Sequence, residues 1–217
     1  MSSPFAAATQ GYKLMSRPPT LQFWFDPAST YAYLSAMRIE EEAARHGVSV
    51  IWCPFLLGPI FRAQGWETSP FNVYPAKGRY MVRDIERLAA SRGLPPFRLP
   101  DPFPANSVRA ARTALMAAER GIAPDFMRRL FTEAFAEGRD IALPETLRDC
   151  LVAAGAPNPD EILAAIGETS TKERLRLETE RAATLGIFGA PTFITPDGEL
   201  FWGDDRLSAA LEWACET

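Results

Sequence analysis

The chain holds few groups able to do chemistry, and their placement narrows what they can do. Histidine occurs once, at His46. A catalytic triad of the serine–histidine or cysteine–histidine kind would have to use that ring, and a multi-histidine metal site is impossible. His46 precedes Gly47, where a helix is expected to stop, and there an imidazole serves as a partner for the helix C-terminus. Cys53, Cys150 and Cys215 lie far apart with no C-x-x-C pair. Neither a dithiol redox centre nor a zinc knuckle is indicated, and each reads as a small buried thiol; no metal site is expected. What remains is a serine at a junction. In "FDPASTYAYL", Phe25 to Leu34, an apolar run turns into a helical pattern through Asp26, Pro27, Ser29 and Thr30. Ser29 either caps that helix or presents its hydroxyl to a ligand at the first turn.

The elements that must position Ser29 are legible around it. "LQFWFD" reads as a strand, "TYAYLSAMRIEEEAARHG" as one helix stopped by Gly47, and "VSVIWCPF" as a second strand. Strand, helix and strand in so short a span imply a parallel pair with a crossover helix. From residue 58 to about 186 the pattern is helical. Segments run from about Ala76 to Arg92, then through "VRAARTALMAAERG" after Asn106 and Ser107 as caps, and "DFMRRLFTEAFAEG" after Pro124. "LPETLRDCLVAAG" and "NPDEILAAIG" follow, the latter with Asn158 as cap; "TSTKERLRLETERAATLG" begins with the cap-like Thr169 and Ser170. Strand character returns in "GAPTFITPDGELFWG", with Asp197–Gly198 in the turn, and "DDRLSAALEWACET" reads as a closing helix. The order is β-α-β, a helical block, then β-β-α.

Of 217 residues, 47% are apolar and the formal net charge is −4. This suits one soluble globular unit, or two small ones sharing a core. The mild acidity argues against a nucleic-acid partner, which needs a basic face. No apolar run reaches the ~18 residues of a membrane span. The first residues lack the pattern of a secretory signal, so residues 1–20 read as a mobile tail and the cytoplasm as the default compartment.

The element order resembles the thioredoxin fold with an inserted all-helical domain, as in DsbA-type oxidoreductases: an α/β fold with thioredoxin-like parts at 21–57 and 187–217 and the insertion at 58–186. "GAPTF", Gly189 to Phe193, is similar to the cis-proline loop of that fold, which makes Pro191 the cis residue. More closely, the chain resembles 2-hydroxychromene-2-carboxylate isomerases and kappa-class glutathione transferases. "FDPASTYAYLS", "PFLLGPIF", "PAKGRYMVRDIERLA", "FGAPTF" and "FWGDDRL" match motifs of that group in order, from Leu21 to about Leu211. Two departures stand out. The proline that follows the serine in the family is Thr30 here, and the family's N-x-P-P stretch reads Thr68-Ser69-Pro70-Phe71.

The resemblance implies that glutathione is the cofactor and an aromatic small molecule the substrate, that Ser29 assists the bound thiol, and that the protein can form a homodimer. A thiol of pKa about 8.5 needs roughly 2.7 kcal/mol of anion stabilisation to reach about 6.5. A hydrogen bond to a charged group supplies about 1.5–3 kcal/mol and a helix N-terminus about 0.3–1 kcal/mol. Ala190 would present its backbone to the peptide part of the thiol. Gly203, Asp204 and Asp205 would hold the γ-glutamyl end, through helix N–H groups and the Asp205 carboxylate; both aspartates equally suit the helix dipole. Lys77 matches a lysine that meets the glycine carboxylate, and is otherwise a surface charge. Arg62 and Asn72 are weaker candidates for polar groups of the substrate. Phe55, Phe61, Trp66 and Phe71 either wall an apolar pocket or pack in the core. The expected activity is glutathione-dependent isomerisation of a 2-hydroxychromene-2-carboxylate type of substrate. A kappa-like transferase and a non-catalytic thiol-peptide binding module remain open. Disulfide exchange is excluded at residues 29–32, which hold no sulfur.

Overall fold

A computed structural model describes residues 18–216; the greater part of the tail expected at 1–20 lies outside them. Thr20 does not belong to a tail, because it opens the first strand and pairs with Ser49.

Strand β1 (Thr20–Phe25) runs through the middle of a four-stranded sheet of order β2-β1-β3-β4. It is parallel to β2 (Ser49–Pro54) and antiparallel to β3 (Thr192–Ile194), which pairs antiparallel with β4 (Leu200–Trp202). The apolar run that marks β1 is explained by burial on both faces. Leu21, Phe23 and Phe25 enter the larger core, while Trp24 enters a second one with Phe55, Ile60, Ala182 and Ile194. Phe23 stacks on its cross-strand partner Phe193 at 5.7 Å and meets Trp52 edge-on at 5.0 Å.

The expected single helix after β1 is two. Helix α1 (Thr30–Ala36) ends at Met37, and α2 (Ile39–His46) starts after Arg38, whose φ of −132° is not helical. The cause is tertiary: the Arg38 guanidinium reaches across to the carbonyl and carboxylate of Asp204. Helix α2 stops as the sequence indicates, at Gly47 with φ 66°, and His46 Nδ1 lies 2.8 Å from the Glu42 carbonyl.

Two short helices went unforeseen, α3 (Leu57–Ala63) and α4 (Pro70–Val73). The others follow the reading: α5 (Pro75–Ser91), α6 (Val108–Glu119), α7 (Ala123–Phe135), α8 (Pro144–Ala153), α9 (Pro159–Ala165) and α10 (Thr169–Thr184). Several expected caps differ. Asn106 accepts from the Val108 N–H at 3.2 Å, but the Ser107 and Asn158 side chains make no cap bond, and Thr169 and Ser170 lie inside α10 behind Glu168. After β4 the chain makes a 3-10 turn (Asp204–Arg206) before α11 (Leu207–Glu216).

Helices and sheet share the larger core. On α7, Phe131 contacts Phe25 of β1 and Tyr33 of α1, and Phe135 also packs on Tyr33. Cys53 and Cys150 are buried, as expected, and burial pushes each thiol up to about 12. Cys215 is exposed, against expectation; it lies near the end of α11, where its thiol meets the His46 carbonyl at 3.3 Å. Among the described residues no helix is long and apolar enough to cross a membrane.

Candidate functional site

The C-terminal end of β1 delivers the chain into a buried turn built on Asp26. One carboxylate oxygen accepts from the Ala28 N–H and the other from the Leu57 N–H, both at 2.8 Å. The side chain thereby joins the turn after β1 to the start of α3 after β2. Burial raises its pKa, and the backbone N–H bonds partly oppose the rise. The sequence showed Asp26 only as a turn residue; its partner Leu57 is not a local neighbour.

Ser29 is at once a cap and a contact. It is the N-cap of α1, accepting from the Ala32 N–H at 3.2 Å. Its hydroxyl donates to the Ala190 carbonyl at 3.1 Å, and the Ala190–Pro191 bond is cis. Residues 161 positions apart in sequence therefore meet at one oxygen. The loop is held from its other side as well: Gly203, with φ 111°, donates its N–H to the Pro191 carbonyl at 3.0 Å. A side chain at Gly189 would run into the indole of Trp202, which would have to shift. Trp202 and Phe188, both exposed, pair at 4.9 Å beside the loop.

Ser29, Ala190, Pro191 and Gly203 thus form one connected group. The Asp204 carboxylate is buried and already engaged, with Arg92 bidentate at 2.6 and 3.2 Å, Arg38 at 3.2 Å and the Ser35 hydroxyl at 2.9 Å. The Asp204 carbonyl is engaged as well, accepting from the Arg38 guanidinium at 2.5 Å. Asp205 is exposed and lies 3.3 Å from the neighbouring Arg206. Lys77 stands in the first turn of α5, exposed, its ammonium 5.0 Å from the Tyr74 ring centre. Arg62 is exposed near the end of α3. Asn72 donates to Thr68 Oγ1 at 3.1 Å and to the Phe103 carbonyl at 2.9 Å. No hydrogen bond or ion pair among the described residues ties Lys77, Arg62 or Asn72 to Ser29 or the cis-proline loop. Of the four aromatic candidates, Phe55 is fully buried, Phe61 and Trp66 pair with each other at 5.8 Å, and Phe71 lies 6.4 Å from Tyr31.

Tyr31, two residues after Ser29, was not singled out by the sequence. Its hydroxyl donates to Asp84 of α5 at 3.0 Å, and burial together with that carboxylate raises its pKa. It stays protonated at any physiological pH and ties α1 to the helical block.

The site therefore offers a hydroxyl at the first turn of a helix, beside backbone groups of a cis-proline loop. The hydroxyl and the helix end suit an anion, while the Ala190 carbonyl suits a hydrogen-bond donor. The site cannot exchange disulfides by itself, because residues 29–32 hold no sulfur and the thiols of Cys53 and Cys150 are buried and held protonated.

The chain is 28% identical over 189 residues to 2-hydroxychromene-2-carboxylate isomerase of Sphingobium xenophagum, covering 87% of this chain and 94% of that one. It is 24% identical over 205 residues to glutathione S-transferase kappa 1 of Caenorhabditis elegans, covering 88% and 89%. A solved structure of 2-hydroxychromene-2-carboxylate isomerase superposes with a TM-score of 0.74 at 26% identity, over 91% of this chain and 94% of that one. The sequence pattern of the DSBA-like thioredoxin domain matches residues 20–212. That span takes in every strand of the sheet, the Ser29 junction and the cis-proline loop, and with it the chain belongs to the DSBA-like thioredoxin domain family.

Proposed function

We propose that the protein is a glutathione-dependent isomerase acting on an unsaturated aromatic substrate of the 2-hydroxychromene-2-carboxylate type. The observation that carries this is the Ser29 hydroxyl, set against a cis-proline loop at a junction without sulfur. The residues present fit a peptide thiol. The hydroxyl has a neutral partner it can exchange, the Ala190 backbone is at hand to meet an extended peptide, and the turn from Gly203 to Asp205 adjoins that loop. The similarity to an isomerase and to kappa transferases supports the choice of glutathione.

Bound there, glutathione would supply a thiolate able to add reversibly to a conjugated double bond, so that the bond could rotate while it is single. The part of Ser29 is to hold that anion. In the free protein its proton points at the Ala190 carbonyl, so it must turn to meet sulfur. The exchange replaces a neutral hydrogen bond of about 1 kcal/mol with a charge-assisted one of about 1.5–3 kcal/mol. Adding about 0.3–1 kcal/mol from the helix end leaves a net gain of roughly 1–3 kcal/mol, or a thiol pKa lowered by about 1–2 units. The Asp204 carboxylate, clamped by Arg38 and Arg92, fixes the turn whose N–H groups would meet the γ-glutamyl carboxylate, and Asp205 would pair with the γ-glutamyl amine. Lys77 would meet the glycine carboxylate. Arg62 and Asn72 are the weaker candidates for polar groups of the substrate.

The test is to mix protein, glutathione and 2-hydroxychromene-2-carboxylate and follow the ultraviolet spectrum. Isomerisation well above the glutathione-only rate, with free thiol constant, is expected. A rate equal to that blank removes the assignment. The similarity to a kappa transferase favours a second reading, conjugation of an electrophile, which the same assay separates by stoichiometric loss of thiol.

A further inference from the structure

Two large rings lie side by side in solvent on the loop that meets Ser29. Phe188 is 44% exposed and Trp202 51%, with ring centres 4.9 Å apart. Single exposed apolar residues need no explanation, whereas contiguous ones on the rim of a site are a feature of ligand-binding grooves. The other exposed aromatic side chains among the described residues each have a polar companion: Lys77 for Tyr74, Arg87 for Tyr80 and Asp197 for Trp213.

Both rings are fixed beside the atoms of the thiol site. Phe188 is two residues before Ala190, whose carbonyl accepts from Ser29, so their Cα atoms are no more than about 7 Å apart. The Trp202 indole lies against Gly189, the residue between them. Trp202 faces Thr192 across the β3–β4 ladder, and the Thr192 hydroxyl donates to the Gly189 carbonyl at 2.9 Å, which ties the loop to the strand opposite the indole. Leu200, on the same face of β4 as Trp202, packs with Ala190 and Leu57 on the smaller core. The ring pair therefore continues an apolar rim that starts at Leu57 and passes Ala190. Rings on the opposite side are already engaged: Phe55 is fully buried, and Phe61 and Trp66 pack on each other.

We infer that Phe188 and Trp202 form the ledge that receives the aromatic ring of the electrophile, and so set which electrophiles the bound thiol can reach. The inference rests on the reading of Ser29 as the thiol holder. What it adds is where the ring lies: on the cis-proline side of the junction rather than against α3 or α4. A planar ring laid on this pair removes apolar area of all three rings from water and finds the edge and face contacts that aromatic groups favour. A small aliphatic electrophile covers less of the ledge and gains less from it.

The test is calorimetry on the full chain with S-(1-naphthylmethyl)glutathione and S-methylglutathione, which share the peptide and differ in the group on sulfur. The naphthylmethyl compound should bind more tightly by about tenfold or more. Phe188→Ala and Trp202→Ala should each reduce that ratio to about threefold or less, while Phe61→Ala should leave it as in the parent. A ratio near one in the parent, a ratio indifferent to both ledge variants, or a ratio lost in Phe61→Ala would each overturn the ledge. Should Trp202→Ala misfold by circular dichroism, Phe188→Ala decides alone. Sedimentation of the same proteins covers the other occupant: a parent dimer that the ledge variants convert to a monomer would assign the rings to a second copy and overturn the inference, and an oligomeric state shared by all supports it. Glutathione itself separates the two failures. If it binds and the ratio is near one, the ledge alone fails; if neither glutathione nor its conjugates bind, the thiol site fails and the ledge with it.

Discussion

Two polar groups of this molecule sit close together and are built on opposite terms. At the Ser29 junction a single hydroxyl accepts one backbone N–H and donates to one neutral carbonyl. At the Asp204 cluster one buried carboxylate takes two guanidinium groups and a hydroxyl. The first arrangement can be exchanged for a ligand at a cost of about 1 kcal/mol, while the second cannot be opened without stranding buried charge. Chemistry is therefore expected where partners are few and neutral, and rigidity where they are many and charged.

The contrast can be broken most severely at Asp204. Asp204→Ala leaves Arg38 and Arg92 facing each other without their common partner, and should cost about 3 kcal/mol in urea unfolding. A loss below about 1 kcal/mol would show that the cluster does not hold the fold. Asp26 comes next, as the buried acid under the junction. Burial raises its folded pKa above the ordinary 3.8, so the native state holds its proton more tightly than the unfolded chain. Its contribution is full below about that value and is lost as pH rises through the folded pKa. Urea midpoints of the parent, relative to Asp26→Asn, should therefore fall from pH 4 toward neutrality; a parallel pair of curves would contradict the burial argument. Ser29→Ala should be milder for the fold, about 1 kcal/mol for a lost cap. The same variant should raise the pKa of bound glutathione by about 1–2 units, read from thiolate absorbance. An unchanged pKa would reduce Ser29 to a cap. Smallest is Arg45→Ala, which removes an exposed pair with Glu41 one helical turn away and should stay within about 0.5 kcal/mol in the same unfolding assay.

What the sequence disclosed and what it hid divide along contact distance. β1 was legible because Leu21, Phe23, Trp24 and Phe25 make a dense apolar run, which burial on both faces of the strand requires. The end of α2 was legible because Gly47 announces a left-handed turn, and the cis bond at Pro191 because a motif carries it. The break between α1 and α2 was not, since its cause is Arg38 reaching a residue 166 positions away. Helix α3 carries no cap of its own: Leu56 makes no side-chain cap bond, and the N–H of Leu57 is satisfied by Asp26 from another turn. A local reading has no access to a cap supplied by a different segment. For the site, the strand-to-helix junction pointed to Ser29, and the resemblance carried by GAPTF pointed to the cis-proline loop. The Tyr31–Asp84 tie and the engagement of Asp204 by two arginines could be seen only once α5 and the loop after β4 were placed beside α1.

The bond from Ser29 to the Ala190 carbonyl bears on which sulfur compounds the protein would accept. A thiol that draws the hydroxyl away leaves that carbonyl oxygen without a donor. A tripeptide can answer with one of its own amide hydrogens, whereas 2-mercaptoethanol has none and would leave the oxygen bare, a deficit of about 1–3 kcal/mol. Selection of a peptide over a simple mercaptan would then follow from a bond made before either one arrives.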